Sequence, residues 1–91
     1  MEKILSLRRK IDEIDEQILR FLKERVEVCR NIGETKREHG IPIRDYRRED
    51  ELYAKVLKRA SELGLNPQDV KSVYREIIAM SMRVQESETK T

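Results

Sequence analysis

Apolar side chains recur at helical spacing from the start of the chain: Ile4, Leu7, Ile11, Ile14, Ile18 and Phe21, then Val28 and Ile32. These steps of three and four residues form a heptad seam, the pattern of a helix with one face that needs a partner. Arg25 takes the apolar slot between Phe21 and Val28 and interrupts it. No proline and a single glycine, Gly33, fall between Glu2 and Glu38, so the pattern predicts one long helix over residues 2–39. Gly40 suits the position just past a helix end, and Pro42 forces Ile41 out of helical space.

A second stripe, Leu52, Tyr53, Val56, Leu57, Ala60 and Leu63, predicts a helix over 45–63, with Asp45 as its N-cap and Gly64 as its stop. A third, Val70, Val73, Tyr74, Ile77, Ile78, Ser81 and Val84, predicts a helix over 67–86. Asn66 caps that helix and Pro67 stands at its first position. Residues 87–91 read as a polar, frayed tail. Strand alternation is nowhere found. The expectation is a single all-α domain, 1–91, of one long helix and two helices about half its length.

Length adds a constraint. A helix of about 35 residues is roughly 52 Å long, whereas a compact domain of this size is about 30 Å across. The rest of the chain cannot cover the seam from end to end, so a second copy of the chain is expected to do so.

Charge and composition mainly exclude. Lys and Arg number 20 against 18 acidic residues, a net charge of +2. The two signs are interleaved rather than clustered, which argues against a nucleic-acid partner. No apolar run approaches the roughly 18 residues of a membrane span, and the N-terminus lacks a signal-peptide core. A soluble, cytoplasmic protein is expected. The single Cys29 cannot pair within the chain and reads as a small buried hydrophobe. His39, also alone, has no ligand neighbours at metal-binding spacing, so no metal site is expected.

Candidate chemistry lies in polar residues that break the apolar stripes. Arg25 and Lys36 are eleven residues apart, about 1100° of helical rotation, so both face one way with Cα atoms about 16 Å apart. Asp45, Arg48 and Glu49 open the second helix, and Ser81 and Gln85 share the inward stripe of the third. Inward polar groups on all three helices, cationic on one side and acidic on the other, suit a small polyanion that carries a hydroxyl. Intersubunit salt bridges that merely fix register are the alternative for these buried charges. No Ser-His-Asp set, Cys-His pair or glycine-rich phosphate loop is present. An enzyme built on these groups would work by binding and electrostatics, without a covalent intermediate, metal or cofactor.

In this order and spacing the chain carries Leu7-Arg8-x-x-Ile11-Asp12-x-x-Asp15, Glu24-Arg25, Gly33-x-x-Lys36, Pro42-Ile43-Arg44-Asp45-x-x-Arg48-Glu49 and Ser81-x-x-x-Gln85. Together these resemble the all-helical chorismate mutases, along nearly the whole chain. The resemblance implies an intertwined antiparallel dimer of three-helix subunits and the Claisen rearrangement of chorismate to prephenate, in phenylalanine and tyrosine biosynthesis. It further implies that Arg8, Arg25 and Lys36 hold the two substrate carboxylates with help from Ser81. Lys36 and Gln85 would donate to the ether oxygen. Glu49 and the backbone near Arg48 would take the ring hydroxyl, with Asp45 and Arg48 completing that wall. Isochorismate-pyruvate lyase, of the same fold, is the alternative activity, and a non-catalytic helical dimerisation module is the alternative of another class. With no length for a dehydratase, dehydrogenase or regulatory domain, a monofunctional form is expected. Arg8 stands seventeen residues before Arg25, about 25 Å away along a helix and roughly 100° off its face. It can serve only the partner's pocket, which requires an antiparallel two-fold axis passing near residue 19.

Overall fold

The computed structural model of the protein describes residues 1–87. It consists of α1 (Glu2–Glu38), α2 (Tyr46–Glu62) and α3 (Pro67–Glu86), with no strand among the described residues. Of the expected frayed tail, Ser87 is the C-cap of α3, and 88–91 lie outside the described residues.

Local chemistry sets the helix ends. The Asp45 side chain accepts from the Arg48 N–H at 3.0 Å, and Asn66 accepts from the N–H groups of Gln68 and Asp69. Each such cap satisfies donors that would otherwise be orphaned, for about 1 kcal/mol. Helices α1 and α2 both close with a glycine at positive φ, Gly40 at 66° and Gly64 at 76°. Around each, paired bonds run back into the last turn: Gly40 N–H to Arg37 and Ile41 N–H to Lys36, then Gly64 N–H to Ser61 and Leu65 N–H to Ala60. A side chain at either glycine would be strained. Leu63 is consequently a cap residue, 58% exposed, and not the last member of the α2 stripe. Val73, expected on the inward stripe of α3, is also 58% exposed.

Helix α3 is the middle element. Both α1 and α2 pack against it, and they make no close backbone approach to each other among the described residues. A cleft therefore remains between α1 and α2, with α3 as its floor. Gly33 permits the close approach of α1 to α3. A Cβ there would stand 2.8 Å from the Gln85 Cα and 2.9 Å from its carbonyl oxygen, closer than packed atoms come.

Among the described residues, nothing packs on the rest of α1. Every residue from Glu2 to Phe21 is exposed, and the seam residues from Ile4 to Ile32 range from 41 to 68% exposed. The chain measures 56 × 33 × 15 Å, and its radius of gyration of 16.6 Å exceeds the about 12 Å of a compact chain this long. Among the described residues, the buried apolar side chains are Cys29, Ala60 and Ile78. A core that small cannot offset the conformational entropy of ordering such a chain.

Candidate active site

Arg25, Lys36, Asp45, Arg48, Glu49, Ser81 and Gln85 line one cavity of about 240 Å³ in the cleft between α1 and α2. Cys29, Ile32, Leu52, Ile78 and Met82 supply its apolar wall. Arg8 is elsewhere, on the exposed N-terminal half of α1. Seven of the eight candidate residues thus meet in one chain, and the eighth does not reach them.

Two donors stand at the α1–α3 contact. Lys36 Nζ donates to the Ile43 carbonyl at 2.7 Å and to Gln85 Oε1 at 2.8 Å. An ammonium has donors only, so the Gln85 atom that faces it is the oxygen and the amide NH₂ turns the other way. Gln85 is nearly buried, at 5% exposure, and its main chain is held as well: Arg37 Nη1 donates to its carbonyl at 2.6 Å. Because Gln85 sits on the last turn of α3, its carbonyl is one that the helix itself leaves unpaired.

Arg25 reaches across to α3, where its guanidinium donates to the Ser81 hydroxyl. That hydroxyl donates in turn to the Ile77 carbonyl at 2.9 Å, so it serves Arg25 as an acceptor. Ser81 here orients the arginine, with its own proton committed to the helix backbone. Cys29 lies on the same side, 3.8 Å from Arg25 through its sulfur, so its buried thiol belongs to the cavity wall as well as the core.

The opposite wall comes from the start of α2. Glu49 is held by Arg44, whose Nε lies 2.6 Å from Oε2 and whose Nη2 donates to Oε1 at 3.0 Å. Oε2 is buried and accepts no hydrogen bond of good angle, although the guanidinium lies against it. Glu49 is paired and Asp45 is engaged at its cap, while Arg25, Lys36 and Arg48 make the lining cationic on balance, with Arg25 and Lys36 at one end. The arrangement can clamp an anion at one end and accept a hydroxyl at the other, with fixed donors between.

A family model described as chorismate mutase type II matches residues 7–86. The chain belongs to the type II chorismate mutase family. It is 40% identical over 88 residues to a bifunctional chorismate mutase/prephenate dehydratase of Aquifex aeolicus, covering 93% of this chain and 24% of that protein. It is likewise 40% identical over 62 residues to a chorismate mutase of Methanocaldococcus jannaschii, covering 68% of this chain and 63% of the other. The chain thus spans about a quarter and under two thirds of the lengths of these two relatives. Among solved structures it is similar to a conserved hypothetical protein from Pyrococcus furiosus, with TM-score 0.75 and 36% identity over 94% of this chain and 99% of that one.

Within this chorismate mutase fold, two supporting residues escaped the reading of apolar stripes. Arg37 looks like a solvent-facing neighbour of Lys36 in a heptad count, and Arg44 like part of an extended connector. The described residues contain no group of three or more His, Cys, Asp or Glu side chains able to hold a metal, and no helix long and apolar enough to cross a membrane.

Proposed function

We propose that the protein is a chorismate mutase that converts chorismate to prephenate in the cleft between α1 and α2. The observation that carries this reading is the pair of donors Lys36 and Gln85, locked together at 2.8 Å inside a cationic cavity. In the [3,3] rearrangement the ether C–O bond breaks, a C–C bond forms within the same molecule, and no proton or group leaves. Breaking runs ahead of making, so negative charge gathers on the ether oxygen in the transition state. An ammonium and an amide N–H fixed at that oxygen bind the transition state more strongly than the substrate. Arg25 and Lys36 hold the carboxylates and draw the substrate into its compact, reactive conformer. Glu49 accepts the ring hydroxyl, beside Asp45 and Arg48. Ser81 acts through Arg25.

The active form in this proposal is an antiparallel dimer. Its support is the exposed seam of α1, where covering one half-exposed Ile or Leu gains about 1 kcal/mol. The seam runs from Ile4 up to Ile32 in the cavity wall, so a partner helix laid antiparallel on it brings the partner's Arg8 to the rim near residues 25–36. Such a soluble dimer fits the cytoplasm, where Cys29 stays reduced.

Thermal-shift titration with a bicyclic dicarboxylate ether that mimics the transition state tests the site. The expected result is a concentration-dependent rise in melting temperature that Lys36→Ala and Arg25→Ala lose. No rise in the parent protein would favour a helical dimerisation module without a ligand site.

A further inference from the structure

Glu49 stands on the cavity wall, and Arg44 grips it from outside that wall. The guanidinium meets both carboxylate oxygens, at 2.6 Å from Oε2 and 3.0 Å from Oε1, and lies 4.6 Å over the Tyr46 ring, which holds it in place. The Glu49 side chain is 14% exposed and that of Arg44 49%. Glu49 therefore lines the cavity with its charge paired from behind by Arg44.

We propose that Arg44 sets the specificity of the site for the ring substituent of its substrate, admitting a neutral hydroxyl and disfavouring a cationic amine at the same ring carbon. This rests on the reading of Glu49 as the acceptor of the ring hydroxyl. A carboxylate is an acceptor only, and both a hydroxyl and an ammonium can donate to it, so hydrogen-bonding capacity does not separate the two. Charge does. An ammonium gives up its hydration on entering the cleft and regains that loss only against net negative charge. Paired with Arg44, and sharing its wall with the opposite charges of Asp45 and Arg48, Glu49 offers an acceptor with no net negative charge behind it. The hydroxyl needs nothing more. Arg44 touches no substrate; it acts through Glu49.

The test compares kcat/KM for chorismate and for its analogue with an amino group in place of the ring hydroxyl, in the parent protein, Arg44→Gln, Arg44→Met and Arg44→Lys. Because Arg44 is half exposed, solvent screening limits the expected effect to about a tenfold shift of the ratio toward the amine in Arg44→Gln and Arg44→Met. Arg44→Lys keeps the charge and should stay within about twofold of the parent ratio. Raising the pH until the amine is neutral should erase the difference between Arg44→Gln and the parent. An unchanged ratio in the two neutral variants overturns the proposal. An equal shift in Arg44→Lys overturns it too, since a merely structural role would then suffice. A parent protein that leaves chorismate unconverted contradicts the underlying function instead, and is read separately from the ratio.

Discussion

Lys36 Nζ sits 2.8 Å from Gln85 Oε1, so the charged donor of the cavity also orients the neutral one. Substitution of either residue disturbs both. We expect Lys36→Ala to remain folded and to lose about a thousandfold in kcat, since each 1.36 kcal/mol is tenfold and a charge-assisted donor supplies several. In a double-mutant cycle with Gln85→Ala the losses should fall well short of additive, because the second change removes a group the first has already released. Near-parental turnover in folded Lys36→Ala would remove this residue from the mechanism.

An amide donates without a titrating proton, so Gln85 itself brings no pH dependence. A glutamate in its place donates only when protonated, and the Lys36 ammonium beside it favours the ionised form. Gln85→Glu should therefore lose about a hundredfold or more near neutral pH and recover activity as the pH falls. A flat rate–pH profile in that variant would mean residue 85 does not face the reacting oxygen.

Gly33 places α1 against the main chain of Gln85, with no flexible side chain available to yield. In Gly33→Ala the helix-propensity gain of about 1 kcal/mol is outweighed by overpacking of about 1–3 kcal/mol, so the melting temperature falls. Activity should drop further than stability, because the displaced backbone carries Gln85, the proposed donor to the ether oxygen. Chemical denaturation alongside kcat measures both. A variant as stable and active as the parent would show that the helices can separate there without consequence.

What could be read from the sequence follows from how local each feature is. The helix ends at Asp45, Asn66, Gly40 and Gly64 rest on contacts within a few residues, and each is formed as the cap chemistry requires. Helical period placed Arg25 and Lys36 on one face of α1 and Ser81 and Gln85 on one face of α3, whereas their meeting at one site was what the resemblance implied. Val73 and Leu63 misled because an apolar residue at stripe spacing is not buried unless an element lies opposite it. Arg37 and Arg44 were missed for the converse reason. Their partners, the Gln85 carbonyl and the Glu49 carboxylate, are set by how a helix end and a connector meet in space, which residue spacing does not encode.

Arg8 decides the quaternary proposal. Mixing inactive Arg8→Ala with inactive Lys36→Ala, under conditions where subunits exchange, creates heterodimers with one site lacking both groups and one site intact. Activity should reappear, approaching a quarter of the parent value at equal, random exchange, because half the dimers are mixed and each has one working site. A mixture that stays inactive after exchange is verified by mass contradicts the shared site.

The claim that this cavity performs a rearrangement, and not an elimination or mere binding, is tested most directly by incubating the purified protein with chorismate and, separately, with isochorismate, and quantifying prephenate and pyruvate together. The expected result is loss of chorismate matched mole for mole by prephenate, with no pyruvate, no added metal or cofactor, and about a thousandfold less turnover by Lys36→Ala. Pyruvate release from isochorismate with chorismate left untouched, or no conversion of either, would contradict it.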